Sequence, residues 1–200
     1  RGAVRLSADE GPAVIDENIS QAALETLRSK QVTFVDFYRN RHDRRIYLAV
    51  EVPVIDEPES SHPLGVVALK IAPEKYIYPF ISRWPVPSTS AETLLVRREG
   101  NDVLFLNELR FTKDSALNLR YSLDRKELPA VKAVLGKHGI VEGVNYRGQL
   151  AIAAVSAIPD SSWHFVALID KVEIFEPIRR ERWVFSLMIS GLLIALGMSV

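Results

Sequence analysis

The chain has 200 residues, 25 Lys+Arg against 25 Asp+Glu, and no cysteine. Balanced charge excludes a protein that meets nucleic-acid phosphates through an excess of basic groups, and the lack of Cys excludes disulfides, thiolate catalysis and Cys-based zinc or iron–sulfur sites. Charged residues make up 25% and hydrophobic residues 48%, enough apolar matter for a core and too much for a disordered chain.

The chain opens at Arg1, with neither Met nor a signal-peptide pattern, and reads as an excised piece of a longer protein. Residues 3–6 are a short strand candidate. Ser20 offers an N-cap for a helix over 21–30. Strands are expected over 32–38, 45–54 and 64–71. In Ile46, Leu48, Val50, Val52 and Val54 every second residue is aliphatic, which marks one buried face. Residues 40–44 (NRHDR) and 55–62 (IDEPESSH) are loops. Residues 83–90 (RWPVPSTS), rich in Pro and Ser, form a natural joint.

Beyond the joint, strands over 92–98 and 103–109 flank EGND at 99–102, the residues a hairpin turn wants. A helix is expected over 128–135, with Pro129 in its first turn and Gly136 or Gly139 as its stop. Three more strands follow at 140–144, 149–158 and 163–169, separated by turns at 145–148 and 159–162. Two strands, a helix and three strands is the order of a PAS-like fold, an antiparallel sheet with helices on its faces. The first half repeats the helix and three strands. Ile71 precedes Pro79 by eight positions, and Ile169 precedes Pro177 by eight. The expectation is an architectural repeat whose first copy has lost a strand, together with a long N-terminal helix and an upstream membrane span.

Residues 170–182 connect the second sheet to the end of the chain. Asp170 with Glu173 is a candidate capping box, and Pro177 places the start of a continuous helix near itself. Residues 183–200 (WVFSLMISGLLIALGMSV) carry no charge and follow Arg179, Arg180, Glu181 and Arg182. As a helix they reach about 27 Å, enough for a bilayer core, and read as a transmembrane span. A buried hairpin helix or an oligomerisation helix is the other reading. Gly191, Ala195 and Ser199 recur every fourth residue and offer a close-packing face for a homodimer. The basic cluster before the span would lie outside the membrane, against the usual preference of such clusters for the cytoplasmic side.

Catalytic and metal patterns are missing from the sequence. His42, His62, His138 and His164 are widely spaced and read as surface or turn positions. No phosphate-cradling Gly pattern and no GxSxG nucleophile motif is present. Asp56, Glu57 and Glu59 could hold calcium but read first as a solvated loop. Candidate ligand contacts are Asp36, Tyr38 and Arg39 at the end of one strand and Tyr47 and Glu51 on the next. Polar groups on a covered sheet need partners, and a small anionic or zwitterionic ligand would serve. An internal hydrogen bond from Asp36 to an Arg or Tyr would serve as well. Arg97, Asn107, Arg110 and Tyr146 are weaker candidates of the same kind.

Residues 93–100 (TLLVRREG), 103–110 (VLFLNELR), 142–148 (EGVNYRG) and 158–163 (IPDSSW) resemble the membrane-proximal half of double Cache (tandem PAS-like) sensor regions. The likeness covers 91–182 well and 1–84 more loosely. It implies an α+β fold: a membrane-distal PAS-like subdomain at 1–83, a linker at 84–90, a membrane-proximal subdomain at 91–170, a juxtamembrane connector at 171–182 and the span at 183–200. It also implies a non-enzymatic sensor facing the periplasm from a bacterial inner membrane. Such a sensor binds a small molecule in its distal half, without a cofactor. The output would be a sensor histidine kinase, or else a GGDEF or EAL cyclic-di-GMP protein. The aromatic, Arg and Asp pattern of the amino-acid-binding subgroup is absent, so an amino-acid ligand is not expected. An interaction module that binds a periplasmic protein, and a membrane-anchored enzyme, are the competing classes.

Overall fold

The computed structural model describes residues 15–56 and 63–175. They form two compact units, divided between Ile81 and Ser82. The expected strand at 3–6, the calcium-loop residues Glu57 and Glu59, the span at 183–200 and its face of Gly191, Ala195 and Ser199 lie outside the described residues. Among the described residues no helix is long and apolar enough to cross a membrane.

The first unit begins with α1 (Glu17–Ser29). Its N-cap is Asp16, whose carboxylate accepts the amide of Asn18 at 2.9 Å, and not Ser20 as the sequence suggested. The correction has a local cause. Asp16 caps with Glu17 in the first turn, where a negative charge suits the exposed amides, and the Ser20 amide already bonds Asp16 O inside that turn. Lys30 closes the helix in the left-handed region, φ 57°, and returns its amide to Thr26 O.

Three antiparallel strands follow in the order β1 (Thr33–Arg39), β2 (Ile46–Ile55), β3 (Pro63–Ile71). A bulge between Val35 and Tyr38 shifts the β1–β2 register, so that Tyr38 pairs with Tyr47 while Thr33 pairs with Glu51. Helix α1 lies against this sheet, and its buried Thr26 bonds Glu51. That contact assigns the face of Glu51, Ala49 and Tyr47 to the helix side, since alternate residues share a face. A short 3₁₀ turn (Pro73–Lys75) and α2 (Ile77–Ile81) end the unit, and Tyr78 of α2 stacks parallel to Phe37 with ring centroids 6.4 Å apart.

The second unit is a six-stranded antiparallel sheet. In chain order it holds β4 (Glu92–Glu99), β5 (Asp102–Phe105), β6 (Arg120–Ser122), α3 (Pro129–Val134), β7 (Gly139–Val144), β8 (Leu150–Ala157) and β9 (Trp163–Asp170). The spatial order is β6-β5-β4-β9-β8-β7, so the first and last strands are neighbours at the centre. Helix α3 packs on one face over Leu94, Val96, Phe105, Val155, Val166 and Leu168, all buried. Phe105 meets Tyr121 and Tyr146 edge-on, with centroids 6.0 and 6.3 Å away. At Gly143 an added Cβ would stand 2.3 Å from Glu127 O, so only glycine lets β7 approach the chain leading into α3.

Two sequence expectations change here. The strand expected over 103–109 stops at Phe105. Beyond it the Asn107 side chain takes over the ladder: Oδ1 accepts the Leu95 amide at 2.7 Å, and Nδ2 donates to Thr93 O at 3.1 Å. The three-residue β6 was not anticipated, being too short to show alternation. The architecture is α+β with antiparallel sheets, compatible with a PAS-like fold. The run α1–β1–β2–β3 has the same order and pairing as α3–β7–β8–β9.

Candidate functional site

In the first unit the β1–β2 register sets two tyrosines face to face across the ladder. The Tyr38 and Tyr47 centroids are 6.3 Å apart with the rings tilted 39°. Tyr47 donates its hydroxyl to Asp43 Oδ2 at 2.7 Å, and Lys70 Nζ sits 4.4 Å from its ring centroid. Two positions along β2, Ala49 is fully buried and supplies almost no bulk. Two further on, Glu51 is 0% exposed. Its Oε2 accepts Thr26 Oγ1 at 3.4 Å.

Two polar atoms on this face have no hydrogen-bond partner among the described residues. They are Glu51 Oε1 and the Tyr38 hydroxyl. Both side chains are buried, Tyr38 to 7% exposure. Leaving such groups unpaired costs about 1–3 kcal/mol each, so each calls for an explanation.

Burial pushes the Tyr38 hydroxyl pKa well up, and the charges of Asp16, Tyr47, Asp43 and Glu51 push it further. Burial also raises the Glu51 carboxyl, partly offset by the Thr26 bond. Asp16 is buried too, which opposes its ionisation. Hydrogen bonds from Asn18 and Arg41 outweigh that and hold it below the usual carboxylate value.

Of the five residues singled out from sequence, Tyr38 and Tyr47 pair across the ladder and Glu51 lies on the same face of β2. Asp36 sits in the bulge and accepts the Phe37 amide at 2.6 Å. Arg39 reaches the loop, donating Nη1 to Arg44 O at 2.9 Å. Sequence reading missed Asp16, Thr26 and Asp43. Asp16 is detectable as a helix-capping residue; Thr26 and Asp43 become visible only through the register and the loop closure. An open depression on α1 is lined by Gln21, Leu24, Glu25, Arg28 and Ser29, all from that one helix, and does not enclose a ligand.

The weaker candidates of the second unit are engaged within it, Arg97 with Glu99 at 3.4 Å. Glu92, 6% exposed, accepts the Tyr146 hydroxyl at 2.6 Å and the Arg110 amide. Arg110 Nη1 donates to the carbonyls of Ser88 and Ala91 at 3.1 and 3.0 Å. Asp170 Oδ1 accepts Asn145 Nδ2 and Arg147 Nη2, both at 2.8 Å, and Arg147 lies 4.1 Å from the centroid of the Phe111 ring. The expected capping box of Asp170 and Glu173 does not form. Glu173 instead binds the turn at Ser88–Ser90, and the Asp170 amide donates to Ser90 Oγ at 3.0 Å. Asn107 completes the sheet. These residues fasten one end of the second sheet.

Among the described residues no group of three His, Asp or Glu side chains could hold a metal ion.

No family model matches the chain, and no curated protein matches it. Solved structures do. The chain superposes on the ligand-binding domain of the Pseudomonas aeruginosa amino acid chemoreceptor PctB in complex with L-Arg with TM-score 0.54 and 19% identity, covering 86% of this chain and 67% of that one. The periplasmic sensory domain of the Campylobacter jejuni chemoreceptor Tlp1 gives TM-score 0.53 at 17% identity, covering 78% and 57%. The extracellular domain of the candidate histidine kinase mmHK1S-Z3 gives TM-score 0.54 at 14% identity, covering 80% and 56%. The chain therefore shares its fold with these receptor ligand-binding and sensory domains, consistent with the double Cache resemblance. The chain spans between 56% and 67% of the length of these three structures.

Proposed function

We propose that this chain is the ligand-sensing region of a transmembrane receptor, facing the periplasm of a bacterium. In this reading the two units are tandem PAS-like domains: a membrane-distal one over 1–83 and a membrane-proximal one over 91–170, joined at 84–90. Residues 171–182 lead into a span at 183–200, and the receptor works as a homodimer through Gly191, Ala195 and Ser199. The chain itself carries no chemistry. A small molecule bound in the first unit changes the relative stability of two states of the receptor, and that difference is the signal.

One observation carries the reading: three candidates chosen from sequence, Tyr38, Tyr47 and Glu51, share one covered sheet face, and two of them hold unpaired buried polar atoms. A ligand that bonds those atoms removes a cost the empty protein bears. The sensor neighbours supply the setting. A histidine kinase output is the first choice, given the kinase extracellular domain among them. A GGDEF or EAL output would use the same sensor.

The test is a small-molecule thermal-shift screen on the full chain in detergent. A ligand of the native fold raises the melting temperature by mass action, and the rise disappears in Tyr38→Phe with Glu51→Gln. A chain that responds to no small molecule but captures a periplasmic protein would be an interaction module.

A further inference from the structure

The second unit holds a buried acid that the small-molecule reading does not use. Glu92, the first residue of β4, is 6% exposed. Its two oxygens face two neutral donors, the Tyr146 hydroxyl at 2.6 Å and the Arg110 backbone amide. Neither nearby guanidinium is bonded to it. Arg110 Nη1 donates to the carbonyls of Ser88 and Ala91, and Arg147 Nη2 donates to Asp170 Oδ1. Burial raises the Glu92 carboxyl above the ordinary glutamate value. The bonds from Tyr146 and Arg110, with the charges of Arg147 and Arg110, only partly compensate. The other carboxylates of the cluster have more donors with charge or number on their side. Asp170 accepts Arg147 and Asn145. Glu173 accepts both Ser90 groups, the Ser88 hydroxyl and the Thr89 amide, and is held down at about 2. Of Glu92 and Glu173, Glu92 takes a proton first as pH falls.

We propose that Glu92 is a proton-binding switch of the second unit. On taking up a proton in a mildly acidic medium it turns the Tyr146 hydroxyl from donor to acceptor, withdraws the charge that faces Arg110, and loosens the turn at 88–91. A carboxylate only accepts, whereas a protonated carboxyl carries a donor of its own. Both groups bonded to Glu92 are donors. The new O–H must take the Tyr146 oxygen as its acceptor, which turns the tyrosine hydrogen away, or stay buried and unpaired. Either outcome changes the contact between β4 and the β7–β8 turn. Asp170 and Glu173 are then left to balance Arg110 and Arg147. Arg110 carries the effect outward: its amide is bound to Glu92, and its guanidinium holds Ser88 and Ala91. Those residues flank the turn that Glu173 grips where the chain leaves the sheet. The inference goes beyond the small-molecule reading and requires no ligand in the first unit.

The experiment is an amide NMR titration of the full chain in detergent, from about pH 8 to about pH 4. The expected result is that the signals of Ser90, Ala91, Arg110 and Glu173 move together, with one midpoint above the ordinary glutamate value of 4.5. Glu92→Gln, a neutral side chain of the same shape, should place these signals near their acid positions at neutral pH and abolish the transition. Tyr146→Phe removes a donor to the carboxylate and should raise the midpoint, a shift that a merely structural tyrosine would not produce. Circular dichroism checks that both variants fold. If the Gln variant does not, the wild-type midpoint and the Tyr146→Phe shift decide. Signals that stay fixed through the range, or a midpoint at or below 4.5, overturn the proposal. So does a transition that survives in Glu92→Gln, which belongs to another group such as His164 near the far end of β9. The response of the first unit to small molecules is a separate measurement, and none of these outcomes bears on it.

Discussion

Glu173 grips Ser90. Its Oε2 accepts the Ser90 amide at 2.8 Å as well as the Ser90 hydroxyl, while Oε1 accepts the Thr89 amide at 2.9 Å and Ser88 Oγ at 2.7 Å. The segment leaving the second sheet is thereby tied to the turn by which the chain comes into it. A displacement of residues 88–90 acts directly on residue 173, without passing through the six strands. The Ser90 and Ser88 bonds, with the two backbone amides, hold the Glu173 carboxyl down at about 2 against an ordinary 4.5.

Glu173→Ala is expected to free the turn. The loss should be about 1–2 kcal/mol, read as faster amide hydrogen exchange at Thr89 and Ser90 with the β4–β9 core unchanged. The pH dependence follows from the depressed folded value. The contribution of Glu173 is complete above its unfolded pKa of 4.5 and disappears as pH falls toward about 2. Urea unfolding between neutral and acid pH should show this decline in the wild type and lose that component in Glu173→Ala.

Glu92 predicts the opposite slope. Burial raises its folded pKa, and the bonds from Tyr146 and Arg110 only partly compensate. Its contribution is therefore most favourable below the unfolded value and is lost as pH rises through the raised folded one. Tyr146→Phe removes a donor from the buried carboxylate. The variant should lose about 1–3 kcal/mol near neutral pH, and the folded pKa of Glu92 should move still higher. Carboxyl NMR titration of Glu92 measures the second effect independently of stability.

Gly143→Ala tests the packing of β7. The new Cβ would meet the Glu127 carbonyl at 2.3 Å and Pro129 Cδ at 3.0 Å. Backbone on one side and a ring on the other leave little room to yield. A loss of more than about 2 kcal/mol is expected by chemical denaturation. Phe105→Ala, in the same core, should cost about 3–5 kcal/mol.

Glu51→Gln should separate stability from binding. A buried carboxylate with an unpaired oxygen is a liability to the empty protein, so the amide should unfold at equal or higher temperature near neutral pH. The same substitution should abolish the thermal shift caused by a ligand of this face. A variant both less stable and still responsive would mark Glu51 as a structural residue of the first unit.

The first unit was legible where side-chain alternation is strong. β2 shows it in Ile46 and Leu48, which are buried, but the expected buried face does not run on: Val52 and Val54 are exposed, while Tyr47, Ala49 and Glu51 of the opposite face are buried. The start of α1 is hard to read from sequence because Ser20 and Asp16 both have capping chemistry, and what distinguishes them is the Asp16 carboxylate accepting the Asn18 and Arg41 amides. β5 was drawn too long because Asn107 replaces a strand with a side chain, a substitution that hydropathy does not register. The convergence of Tyr38 with Tyr47 depends on the bulge before Tyr38, since an unbroken register would pair other residues. The Asp43 and Thr26 contacts come from loop closure and helix docking, and no spacing in the sequence announces them.

Hydrogen–deuterium exchange on the intact chain, with and without a saturating thermal-shift hit, tests the sensor reading most directly. The account predicts protection gathered in the first unit, at Thr26 on α1, at Tyr38, and from Tyr47 to Glu51 on β2. Protection confined to the second unit, with those amides unchanged, would contradict it.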